Sequence, residues 1–225
     1  MRRWFVLLIL GVALALVHAG CEREEPTSSP ISSPATPPTP PALPPPREHV
    51  VLQVKGFGEI RFELLAEKAP KTVENFKKLA REGFYAGTTF HRIVPGYVIQ
   101  GGDPNSRNRD PRDDGWGGPG YTIPAEFNDT PHRRGVVSMA RGSSPDSAGS
   151  QFFIVLQDTL DLDGQYTAFA RVTSGIEVVD SIAAVLRDEF GRSGPIDRPL
   201  ENLMIESVRI EPAVLTANPP VQSDR

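Results

Sequence analysis

Hydrophobic and polar residues alternate in two strand-like runs along HVVLQVKGFGEIRFELL, which starts at His49, and the runs join at Gly56 to Gly58. That pattern predicts two strands joined in a hairpin. The next run, APKTVENFKKLAREGFY, changes period: Val73, Phe76, Leu79 and Ala80 fall on one helical face, Pro70 suits a first turn and Gly83 a stop. An amphipathic helix is predicted there. Strand-like runs recur as TFHRIV, YVIQGG, GVVSMA, SQFFIVL and YTAFARV, before GIEVVDSIAAVLR supplies a second helix with Val178, Ile182 and Val185 spaced for one buried face. A last strand-like run, NLMIESVRIEP, ends near Pro212. Many short strands with two helices predict a mainly β domain over residues 48–212, an antiparallel barrel or sandwich whose openings the helices cover. Between the strands, NSRNRDPRDDGWGGPGYTIPAEF is rich in Gly, Pro and Asn and reads as a surface loop, with Asp110 to Asp114 a candidate docking surface.

The two ends of the chain lack this patterning. Met1-Arg2-Arg3, the apolar run Trp4 to Val17 and the exit HAGC have the charged start, apolar centre and small-residue end of an export signal over residues 1–20. The apolar run falls short of the roughly 20 residues that a spanning helix needs. LVHAGC resembles a bacterial lipobox, in which cleavage before Cys21 leaves that residue to carry lipid, although His18 stands where an aliphatic residue is usual. Ordinary signal cleavage near VHA or ALA, leaving an incidental thiol, is the alternative. Residues 21–47 then collapse to Pro, Ser and Thr, too polar to bury a core, and their prolines favour an extended spacer. At about 3.1 Å per residue it could hold a domain up to roughly 80 Å from an anchor. Residues 213–225 read as a frayed tail.

Composition excludes more than it assigns. The formal charge is −4, and loss of Arg2 and Arg3 with the signal takes it to −6, so no basic stripe points to nucleic acid. A single Cys forbids an internal disulfide. His49, His91 and His132 show no close pairing, so no metal is expected. GSSPDSAGS with His91 or His132 could suggest a serine hydrolase, but it lacks the strand-turn-helix setting of a nucleophile elbow. No phosphate loop or dinucleotide fingerprint is present, and no cofactor is expected. What stands out is TTFHRIVPGYVIQGGD, residues 88–103, a run otherwise fit for a buried strand that carries His91 and the permanent cation Arg92.

That run, with AEF, GVVSMAR, SAGSQFFI and LDGQYTAFARV in the same order, resembles the cyclophilin family of peptidyl-prolyl cis/trans isomerases from Val50 to Glu211. The resemblance implies an eight-stranded antiparallel β-barrel capped by two α-helices, with a peptide groove on its outside. It places the catalytic cation at Arg92, and Gln100 and Gln151 match residues that orient the arginine or bind peptide backbone. It assigns the apolar slot for a proline ring to Tyr97, Val98, Met139, Phe153, Leu162 and Tyr166. Ala140 and Arg141 match positions along the groove, and His91 adjoins the cation on the same wall. Three positions depart from the pattern: Arg141 where many members carry Asn, Asp161 where animal members carry Trp, and Tyr166 where they carry His. Phe152 and Phe153 alternate on a strand, so one is expected in the core and the other at the groove.

The expected function is therefore isomerisation of X-Pro bonds in exported or envelope proteins, assisting their folding from a lipid-anchored position at the bacterial cell envelope. The expected partners are proline-containing peptides or unfolded proteins and, through the N-terminal lipid, a membrane; a monomer is expected. The alternative is a binding module or chaperone that holds a Pro-containing partner in the same groove, with incidental turnover.

Overall fold

The structure is a computed structural model and describes residues 48–192 and 194–212. The signal, Cys21, the spacer and the tail lie outside the described residues, none of whose helices is long and apolar enough to cross a membrane.

The alternating runs form strands as their periodicity requires. Strands β1 (His49–Val54) and β2 (Gly58–Leu64) make the predicted hairpin. Helix α1 (Pro70–Arg81) follows, then β3 (Thr89–Val94), β4 (Val98–Asp103), β5 (Val136–Met139), β6 (Phe152–Val155) and β7 (Ala168–Ser174). Helix α2 (Ile176–Ala183) precedes a hairpin of two short strands, β8 (Arg187–Asp188) and β9 (Arg198–Pro199), and β10 (Ile205–Glu211) ends the domain. Eight strands form one antiparallel sheet in the order β10-β1-β2-β7-β5-β6-β4-β3. The sheet curls until its edges meet: Phe90 N donates to Leu203 O at 3.0 Å and Ile205 N to Thr88 O at 2.8 Å.

The inner face of the curl is apolar. Ile93, Ile99, Ile154, Val137 and Ala170 pair in register across β3, β4, β6, β5 and β7 and are all buried in one core. Helix α1 plugs this core with Phe76, whose ring meets Phe62, Tyr85, Phe152 and Phe169 at centroid distances of 4.9–5.9 Å. Its predicted apolar face is the buried one. No side chain of its own caps the helix; the carboxylate of Glu126 does so, accepting from Lys71 N at 3.0 Å and Thr72 N at 2.8 Å. In α2 the buried residues are Val179 and Ile182; Val178 is only partly covered, as is Val185, which lies past the end of the helix at Ala183.

Candidate peptide groove

Register builds the site on the outer face of the same strands. Arg92 pairs with Gln100, Gln100 with Phe153, and Phe153 with Ser138, so one row crosses β3, β4, β6 and β5. Residues directly opposite on neighbouring strands share a face. Simple alternation would put Phe90 and Arg92 on the same side of β3, yet Phe90 is fully buried in the core. A bulge resolves the conflict: Phe90 opposes Gly101 and Arg92 opposes Gln100, so His91 is an extra residue in the ladder. The bulge turns Arg92 outward.

It also moves His91 away from the groove. The ring is buried, and Gly115 of the 104–127 loop lies against its Nε2. Burial lowers its pKa, against the opposing pull of Asp103 and Asp114. His91 therefore lies beneath that loop, not on the wall expected for it. Met139 is displaced from its expected place for a simpler reason: it opposes Phe152 on the inner face and is buried in the core, whereas its neighbour Ser138 faces outward. Phe152 fills the core and Phe153 faces the groove, which settles their alternation.

The remaining residues converge. A pocket of about 140 Å³ is lined by Arg92, Tyr97, Val98, Gln100, Ala140, Arg141, Phe153, Leu162 and Tyr166. Its volume is below the roughly 300 Å³ at which small-molecule sites begin, so it suits one side chain. The floor is a second apolar cluster, Val98, Val136, Phe153, Val155, Leu162 and Ala168, on the opposite side of the sheet from the core. Tyr166 meets the Phe153 ring edge-on at 5.4 Å, and Arg141 spans the rim with its guanidinium 4.9 Å from the Tyr166 ring. Burial raises the pKa of Tyr97, with Asp161 adding to it, so its hydroxyl stays neutral.

Beside the apolar floor stands the cation. Arg92 donates to Gln100 Oε1 at 3.3 Å; Gln100 Nε2 donates to Gln151 Oε1 at 2.9 Å; Gln151 Nε2 donates to the carbonyls of Gly115 at 3.0 Å and Gly117 at 2.8 Å. This chain ties the guanidinium to the 104–127 loop. The loop is itself organised by Asp103, whose carboxylate accepts from the backbone of Asn105 at 2.8 Å, Gly117 at 3.2 Å and Gly115. Gly102 just before it has φ of +84°, and a Cβ there would lie 2.6 Å from the Ser150 carbonyl, which explains the glycine.

The acidic run of the loop is paired within the loop and with the β8–β9 hairpin. Asp110 is held by Arg112, Asp113 by Asn108, and Asp114 is buried against Arg198. The sequence reading missed a second, adjoining pocket of about 280 Å³, where Trp116, Gly118 and Ser147 join Gln100, Gln151 and Arg141. It also missed a buried relay behind Phe153: His132 binds Asp163 through Nδ1 and Ser138 through Nε2, both at 2.8 Å. The three residue types are those of a hydrolytic triad, but His132 and Ser138 are sealed from solvent. No substrate reaches Ser138, and in the GSSPDSAGS run the hydroxyls of Ser147 and Ser150 donate to the carbonyls of Ser144 and Gly102. Among the described residues no cluster of His, Cys, Asp and Glu could hold a metal ion.

A closed antiparallel sheet with an external apolar pocket beside a fixed guanidinium defines a class of peptide-binding barrel. Residues 49–210 match the family described as cyclophilin type peptidyl-prolyl cis-trans isomerase/CLD, and the chain belongs to that family. A "probable peptidyl-prolyl cis-trans isomerase" of Brucella suis is 46% identical over 142 residues, 61% of this chain and 72% of that protein. Peptidyl-prolyl cis-trans isomerase B of Bacillus subtilis is 49% identical over 127 residues, 56% of this chain and 83% of that protein. A Cryptosporidium parvum cyclophilin-type isomerase, solved in the presence of the dipeptide Ala-Pro, superposes with a TM-score of 0.64 at 31% identity. That match covers 72% of this chain and 98% of the other.

Proposed function

We propose that this protein is a peptidyl-prolyl cis/trans isomerase acting on X-Pro bonds of exported or envelope proteins, tethered to a membrane through lipid on Cys21. The observation that carries the activity is the placement of Arg92 at the edge of an apolar, one-residue pocket. The names of the Brucella and Bacillus relatives and the dipeptide used with the Cryptosporidium protein support the same reading. The charged start, apolar centre and Cys21 exit of the N-terminus support the envelope location.

A prolyl bond resists rotation by about 20 kcal/mol because the nitrogen lone pair is delocalised into the carbonyl. In the twisted state the nitrogen is pyramidal and its lone pair can accept a hydrogen bond. The ring of proline, held on Phe153, Leu162 and Val98, stays fixed while the flanking peptide turns. Arg92 then donates to the nitrogen, and its forked donors reach a carbonyl oxygen as well. No bond is broken and no covalent intermediate forms.

Exchange NMR on a short X-Pro peptide, with the full chain and its Arg92→Ala variant, tests the reading. The wild type should accelerate exchange and the variant should lose about a hundredfold, the effect of one preorganised donor. Equal, slow rates would make the groove a binding site without turnover. The anchor has its own test: intact-mass spectrometry of membrane-extracted protein showing an unmodified Cys21 would overturn it.

A further inference from the structure

The groove continues past the proline pocket. Gln100, Ala140 and Arg141 line both the proline pocket and the adjoining one, and Trp116 lines both the adjoining pocket and a third cleft of about 580 Å³. The third cleft lies between Trp116 and Arg112 on one side and Gly191, Arg192, Gly194 and Pro195, between β8 and β9, on the other. We propose that it receives the part of a client chain that flanks the X-Pro bond, with Trp116 as the ridge between the two subsites. This rests on the isomerase reading of the groove and extends it to a client several residues longer than the reacting bond.

Apolar exposure is the first support. Trp116 is 85% exposed, and on the hairpin Phe190 is 71% and Ile196 is 60% exposed. Phe190 and Ile196 do not line the cleft but adjoin its lining residues Gly191 and Pro195 along the chain. Large exposed apolar side chains close together mark an interaction site more often than isolated ones do. Rigidity is the second. The carbonyls on both sides of Trp116, Gly115 and Gly117, are held by Gln151, the residue that also holds Gln100. The opposite wall is tied to the same loop by the buried Arg198–Asp114 pair at 2.7 Å, and Gly194 packs on Pro111 so closely that a Cβ would lie 3.0 Å from it. Both walls are therefore preformed, which lowers the ordering cost of binding.

The cleft's chemistry selects its occupant. Asp110 chelates Arg112 through two contacts of 2.7 Å, which neutralises that cation, while Arg192 lays its guanidinium 4.8 Å from the centre of the Phe190 ring. An apolar or aromatic side chain fits against the indole, and a carboxylate near it meets Arg192. Unfolded protein segments with an aromatic residue and an acidic neighbour fit this description. Between the subsites the path is open: Gly118 has nothing within 4 Å of where a Cβ would be.

The test uses two peptides that share one X-Pro bond: a tetrapeptide, and a longer peptide extended by Phe and Asp on the amino side or, separately, on the carboxyl side. For the full chain the quantity read is the ratio of kcat/KM for a long peptide to that for the tetrapeptide. In the wild type one extension should raise this ratio roughly tenfold, the scale of one good aromatic contact, and the side that does so gives the direction of the chain. Trp116→Ser and the paired Phe190→Ser, Ile196→Ser variant should both return the ratio towards one. Their side chains are exposed, so folding is not at stake. A wild-type ratio near one for both extensions, or variants that keep the wild-type ratio, would overturn the proposal. If the tetrapeptide itself is not accelerated, the isomerase reading fails instead, and calorimetric binding of the long peptides to the same three proteins decides the cleft on its own.

Discussion

Gln100 donates from Nε2 to Oε1 of Gln151 at 2.9 Å, which leaves its own Oε1 turned towards Arg92. The two glutamines thus set which end of the Gln100 amide the guanidinium meets. Gln100→Leu removes the acceptor, and kcat/KM should fall by about tenfold, the upper range for one net hydrogen bond. Gln151→Leu should act in the same direction but less, since the Gln100 carbonyl can still face Arg92. Adding Gln100→Leu to Arg92→Ala should cost little more than Arg92→Ala alone, because the glutamine acts through the arginine. Exchange NMR on the short peptide reads the four variants beside the wild type; full additivity would separate Gln100 from the catalytic cation.

His132 offers a different kind of test, because it supports the groove without touching it. Its ring stacks at 6.2 Å on Phe153, its backbone N–H and Nδ1 hold Asp163, and Thr159 N donates to its carbonyl at 2.8 Å. Those bonds pin the turn that carries Leu162. In His132→Phe, Asp163 can turn to solvent, but the buried Ser138 hydroxyl is left unpaired, at a cost of about 1–3 kcal/mol. Adding Ser138→Ala removes the orphaned group, so the double variant should be more stable than His132→Phe alone. Urea unfolding measures this, and KM for the short peptide should rise in both as the Leu162 turn loosens. A double variant less stable than the single one would show that Ser138 is paired elsewhere.

Much of this architecture is legible in the sequence because strand and helix periods differ. The alternation in β2, and the face carrying Val73, Phe76 and Leu79, predict burial correctly. Where the period is broken locally, the reading fails. The extra residue at His91 is a two-against-one mismatch with a partner strand, which no single strand's sequence displays. Met139 shares a motif with groove residues, but its parity on β5 puts it inside. Strands β8 and β9 are two residues each, too short to show alternation. The cap of α1 by Glu126 spans 54 residues, and the Trp116 ridge exists only because Asp103 and Gln151 shape its loop. Long-range contacts of that kind leave no local pattern.

The Arg198–Asp114 pair joins the hairpin to the Trp116 loop, with the Asp114 side chain almost wholly covered. Arg198→Ala strands a buried carboxylate, and the destabilisation should be about 3 kcal/mol. Adding Asp114→Asn should recover part of it by removing the uncompensated charge. Chemical denaturation of the two variants checks the order. If Arg198→Ala unfolds within about 0.5 kcal/mol of wild type, the pair is no more than a surface bridge.

His91 predicts how stability depends on acidity. Its burial disfavours the imidazolium, more than the carboxylates of Asp103 and Asp114 favour it, so the folded chain binds this proton more weakly than the unfolded chain. Where the unfolded state binds more protons, stability rises with pH. The contribution is therefore complete above the ordinary histidine value of about 6.5, and declines as pH falls through it towards the lower folded value. The slope for one proton is at most about 1.4 kcal/mol per pH unit. Asp163, its pKa lowered chiefly by the backbone N–H of His132, adds a second loss, but only in the carboxylate range below that window. Urea unfolding between about pH 8 and about pH 5 should show the decline in wild type and a flatter dependence in His91→Leu, which has no proton to gain there. Parallel slopes for the two proteins would mean that His91 is protonated as readily folded as unfolded.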